Sequence, residues 1–110
     1  MEKSRWTWMP HAGHYIRGGE CRFRLCTCVG RYIVSTVGEL PSRADAREFE
    51  PVGCGRLYET MVFRAVKSKN GCCPYEMETP SEVDFRGYND PRKARIGHME
   101  LCRKWAREGK

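Results

Sequence analysis

The stretch Cys21–Leu40, CRFRLCTCVGRYIVSTVGEL, constrains the fold more than any other, because two runs rich in β-branched and aromatic residues meet there at a glycine. Runs of this kind joined by a tight turn read as a β-hairpin. With Gly30 and Arg31 at the centre of a type II′ turn, Gly30 supplies the positive φ that the first central position demands. Val29 then faces Tyr32. In that register Phe23, Leu25, Thr27 and Val29 share a face with Tyr32, Val34 and Thr36, and Arg24, Cys26 and Cys28 share the other with Ile33, Ser35 and Val37. A three-residue loop, Val29 to Arg31, would turn the second strand over, since side chains alternate with a period of two. Phe23 and Leu25 are core candidates in both registers. A lone hairpin is marginal in water, so other strands or a helix must cover it.

The second strong strand signal is Arg56–Val66. Its alternation sets Leu57, Met61 and Phe63 on one face and Tyr58, Thr60 and Val62 on the other, so both faces carry residues that belong out of water. That pattern predicts a central strand. Asp90-Pro91 then opens a helix, with an N-cap aspartate and a proline at the first helical position, where its missing N–H is no loss. Ala94, His98, Leu101, Cys102 and Trp105 recur on one side of that helix, and Arg92, Lys93, Arg95, Arg103, Lys104 and Arg107 fall largely elsewhere. Between these elements, Pro41-Ser42-Arg43-Ala44-Asp45 offers a serine cap with an acid three residues on, which predicts one or two helical turns up to Phe49. Residues 67–89 are broken by Asn70-Gly71, Pro74, Pro80 and Gly87 and read as an irregular excursion with room for a short strand at Glu82–Phe85. Residues 1–20 read as an arm or short strand leading into the hairpin.

A chain of 110 residues fits one domain and should bury roughly two-thirds of its extended-chain surface. The expected architecture is a single α+β domain over residues 1–110: an antiparallel sheet of three to four strands packed against an amphipathic C-terminal helix at 91–108. Seven cysteines, an odd number with Cys72 and Cys73 adjacent, together with an N-terminus lacking a signal-like apolar run, point to a reduced, cytoplasmic protein. No apolar stretch approaches the length needed to span a bilayer, so no membrane partner is expected. Charge is unevenly placed: residues 1–36 carry six basic and two acidic side chains, 37–90 seven and ten, and 91–110 seven and two. A terminal segment so cationic suits an anionic partner.

Several of these runs carry a resemblance. Pro10-His11-Ala12-Gly13-His14-Tyr15-Ile16, Cys21-Arg22-Phe23, Tyr32-Ile33-Val34-Ser35-Thr36-Val37-Gly38-Glu39, Tyr58-Glu59-Thr60-Met61-Val62-Phe63 and Gly97-His98 together resemble a family of small bacteriophage- and prophage-encoded proteins of unassigned activity. The resemblance covers most of the chain. It implies expression inside an infected or lysogenic bacterium and an accessory role in infection, and it carries over no catalytic or binding residue.

Three kinds of chemistry are open to these residues. A zinc site is the first: His98 and Cys102, four apart on a helix, can address one ion, and Cys54 with Cys72 or Cys73 flanks the 56–66 strand and would complete a tetrahedral set. His11, His14 and Cys21 are a second possible ligand group. Against both, Cys-x2-Cys is absent and cysteine serves readily as a small buried hydrophobe. The second is nucleic-acid binding, with Arg92, Lys93, Arg95, Arg103, Lys104 and Arg107 as phosphate contacts and Trp6, Trp8 and Tyr15 as stacking candidates. The third is a cysteine-based enzyme, for which no activating context near Cys21 or Cys102 is visible. The zinc-deaminase pattern, the P-loop and a post-strand GxGxxG are missing. The leading expectation is therefore an accessory protein that binds a macromolecular partner without catalysis, a host or phage protein first, with inhibition of a host or defence protein as one form. Nucleic-acid binding and a zinc or Cys/His centre are the alternatives.

Overall fold

The computed structural model describes residues 6–9, 20–53, 55–68 and 74–108. Eight strands and a helix follow in order: β1 (Trp6–Trp8), β2 (Phe23–Val29), β3 (Tyr32–Gly38), β4 (Leu40–Pro41), β5 (Phe49–Glu50), β6 (Tyr58–Lys67), β7 (Tyr75–Met77), β8 (Asp84–Tyr88) and α1 (Pro91–Glu108). The fold is α+β, an antiparallel curled sheet against a single C-terminal helix.

The hairpin forms in the two-residue register. Val29 pairs with Tyr32 and Phe23 with Gly38, and Gly30 takes φ 61° while Arg31 stays out of the left-handed region. That φ pattern is the II′ one, whose twist matches the strands it joins. β6 is central, as its two-sided pattern requires: β3 runs along one edge from Tyr32↔Arg64 to Gly38↔Tyr58. The other edge is divided between β8, opposite residues 58 to 62, and β7, opposite residues 65 to 67.

The sheet is wider than the three to four strands expected, with six in the order β1-β2-β3-β6-β7 and β8 also on β6. β1, in the stretch read as an arm or short strand, and β7 have three residues each, too few for an alternation to register in sequence. β7 lies inside the stretch read as irregular, and β8 sits two residues later than the expected 82–85 start. No helix forms at 42–49. Ser42 Oγ does accept the amides of Ala44 and Asp45, at 3.1 and 3.4 Å, but the chain turns back at once, and Glu48 N–H donates to Asp45 O at 3.0 Å. β4 and β5 close this loop as a two-stranded ladder. The cap is present without the helix because no apolar stripe follows to hold one down.

Helix α1 begins as expected. Asp90 Oδ1 accepts the Arg92 amide at 2.7 Å and the Lys93 amide at 3.3 Å. It buries Ala94, Gly97, His98, Leu101, Cys102 and Ala106 and lies across β2, β3, β6 and β8. Leu101, Cys102 and Ala106 pack with Val29, Val34 and Val62, and Tyr32 and Trp105 close the edge of that cluster. Each fully buried aliphatic side chain there stabilises the fold by about 2 kcal/mol. The opposite face of the sheet is buried as well, without a helix: Met9, Cys26, Cys28 and Ile33 form one cluster and Cys21, Val37, Leu40 and Val52 another. The segments around β1, β4 and β7 supply that second cover. Among the described residues no helix is long and apolar enough to cross a membrane.

Candidate functional site

Helix α1 carries both groups of residues singled out from sequence, one on each of its sides. On the inner side, His98 and Cys102 face the sheet together, as their spacing requires, and His98 is 2% exposed. What meets His98 is a row of hydroxyls. Thr27 Oγ1 lies 3.0 Å from Nε2 and Thr36 Oγ1 2.7 Å from Nδ1. Thr36 continues to Thr60 Oγ1 at 2.6 Å, and Thr60 to the Tyr88 hydroxyl at 3.2 Å.

Each hydroxyl in this row can donate or accept, so the row complements either tautomer of the ring. At its far end Arg86, on the same strand as Tyr88, pairs with Glu100 Oε1 at 2.7 Å.

Burial of the ring favours the neutral imidazole. Burial pushes His98 down to about 4 and, against the smaller opposing pulls of the Thr27 bond and the Arg103 charge, lifts Cys102 to about 12. A thiol held protonated in this way is a weak nucleophile. Because the folded His98 value lies below the ordinary one, the unfolded chain takes the proton first as pH falls. His98's contribution is then complete above about pH 6.5 and is lost on acidification towards about 4, by on the order of 3 kcal/mol. Urea midpoints at pH 7, 5.5 and 4.5 check this, and a His98→Leu variant should lack the decline. Asp84 acts in a separate, lower window, since its carboxyl is held below 3.8.

Of the proposed zinc ligands, the described structure brings His98 and Cys102 to one place, with both His98 nitrogens hydrogen-bonded to threonines. Cys54 and Cys72 lie outside the described residues, as do Cys73, His11 and His14. Cys21 is buried with Val37, Leu40 and Val52. Among the described residues no group of three or more His, Cys, Asp or Glu is placed to hold a metal. Thr27, Thr36, Thr60 and Tyr88 were not singled out from sequence; the available signal was one hydroxyl on the same face of each of four neighbouring strands.

The outer side of α1 is cationic. Lys104 is engaged: its Nζ lies 2.9 Å from Asp84 Oδ2, which also accepts Trp105 Nε1–H at 2.9 Å. Desolvation opposes the Asp84 charge, but the bonds from Lys104, Trp105 and the Phe85 amide outweigh it. Arg92, Lys93, Arg95, Arg103 and Arg107 are all exposed, and none has an acidic partner among the described residues. Ile96 and Met99, 50% and 41% exposed, lie between them. Comparison of the chain with protein-family models, curated proteins and solved structures finds no significant match.

Proposed function

We propose that this protein acts without catalysis, by binding a macromolecular partner through the outer side of α1, and that the partner is a nucleic acid held by its phosphates. The observation that carries this reading is the set of five exposed cations, Arg92, Lys93, Arg95, Arg103 and Arg107, that lack acidic partners among the described residues. A helix whose cations are left unpaired raises the local concentration of a polyanion, and it does so with no cleft. The buried His98 chain favours the same reading: it fixes the helix on the sheet as a rigid platform and gives substrate no route to Cys102. A binding role inside a bacterium also accords with the accessory function implied by the resemblance to phage- and prophage-encoded proteins.

Gel shifts across a salt series test it. Five phosphate contacts predict that log K falls against log salt with a slope of roughly −3.5 for single strands to −4.5 for duplex. Replacing Arg103 and Arg107 by alanine should flatten that slope by about 1.4 to 1.8. Absence of binding, or binding indifferent to salt, would rule the reading out. A second reading, a host or phage protein as partner, is favoured by the exposed Ile96 and Met99 on the same helix, because apolar anchors at i and i+3 are what a groove on another protein takes. Recovery of a stoichiometric protein from bacterial lysate after nuclease treatment distinguishes the two.

A further inference from the structure

We propose that Trp6 and Trp8 form a stacking site for unpaired bases beside helix α1, so that the nucleic acid bound is single-stranded; this rests on the phosphate-binding reading above. The register of the edge strand carries the argument. Trp6 pairs with Val29 and Trp8 with Thr27, and directly paired residues of antiparallel strands point to the same face. Val29 packs against Leu101, Cys102 and Ala106, and Thr27 bonds His98. Both tryptophans therefore stand on the helix side of the sheet, one strand beyond the helix, level with residues 98 to 106.

The flank of α1 that looks towards them is also settled. Glu100 and Lys104 reach β8 through Arg86 and Asp84, so the opposite flank, with Arg95, Met99 and Arg103, is the one that faces β1. Trp6 is 39% exposed, Trp8 62% and Met99 41%. Two large aromatics left this open on a sheet edge, opposite two arginines without acidic partners, match a single strand in both respects: rings for bases and cations for the phosphates beside them. Residues two apart on a strand are separated by about 6.7 Å, twice the roughly 3.4 Å between stacked bases. One base can thus lie between the two rings. Duplex bases are already stacked on their neighbours and cannot enter.

Fluorescence anisotropy tests this with an oligothymidylate and a duplex of equal length, on the wild type, Trp8→Ala, Trp8→Phe and Arg103→Ala. The expected result is tighter binding of the single strand, a loss of about 5- to 150-fold for Trp8→Ala, and near-complete retention by Trp8→Phe. The salt slope should be unchanged by Trp8→Ala and flattened by Arg103→Ala, a difference that a structural role for Trp8 would not produce; an unaltered melting temperature for Trp8→Ala confirms that the fold is intact. Equal affinity for duplex and single strand, with no effect of Trp8→Ala, overturns the stacking site and leaves the phosphate reading standing. If the wild type binds neither, both fall.

Discussion

Replacing His98 by alanine should destabilise the fold by about 4 kcal/mol, the largest effect expected of any single side chain. The loss has two parts. Removing a fully buried ring leaves a cavity, and large-to-small changes of that kind cost about 3 to 5 kcal/mol in the aromatic case. The ring also satisfies Thr27 and Thr36, and a buried hydroxyl stripped of its partner costs about 1 to 3 kcal/mol. Water entering the cavity offsets part of this, which is why the figure stays below the sum. The polar part can be isolated. In the pair His98→Leu with Thr36→Val, both ends of the shortest bond to the ring become apolar, so the double variant should be less destabilised than the two single variants added together. Urea denaturation followed by far-ultraviolet circular dichroism gives all the values. Simple additivity would mean that the threonines find other partners and that the hydroxyl row does not act as a unit.

Gly97→Ala should destabilise by about 2 kcal/mol, against the direction that helix propensity alone sets. In an exposed helix the change would stabilise by about 1 kcal/mol. Here a Cβ on Gly97 would lie 2.1 Å from the Tyr88 hydroxyl oxygen and 2.3 and 2.4 Å from two of its ring carbons. The ring cannot simply swing away, because its hydroxyl bonds Thr60 and its body packs with Tyr58 and Ala94. Either the helix lifts or the row of hydroxyls breaks at Tyr88, and overpacking of this sort costs about 1 to 3 kcal/mol. Thermal melts of Gly97→Ala alone and with Tyr88→Phe separate the two outcomes. A stabilised Gly97→Ala would mean that the helix stands farther from β8 than the structure places it.

Where one periodicity ran long enough, the fold was legible in the residues. Gly30 placed the hairpin turn and narrowed its register to two, the central position of β6 followed from apolar residues on both its faces, and the inner side of α1 from Ala94, His98, Leu101, Cys102 and Trp105. Short elements were less legible: β1 falls where an arm or a short strand was expected, but β7 exists because a neighbouring strand offers it a ladder, and nothing in three residues announces that. Ser42 was a misleading signal for a related reason, since a serine that accepts two amides caps a turn as readily as a helix. For the candidate site, sequence placed the cations correctly on the outside of α1 but not the pairing of Lys104 with Asp84, which joins residues twenty apart. His98 with Cys102 was recognised as a pair on one face. The row of hydroxyls that meets it comes from four strands whose alignment only the folded sheet fixes.

The two buried faces of the sheet also give this protein an internal gauge of how it comes apart. Cys102 lies beneath α1 and Cys28 on the far face, and burial holds both thiols protonated, at about 12 and about 11. An alkylating reagent reacts with thiolate, so neither sulfur is modified until its own cover departs. With Cys54, Cys72 and Cys73 changed to serine, the order in which these two sulfurs become labelled reports whether the rod detaches before the short segments on the reverse side.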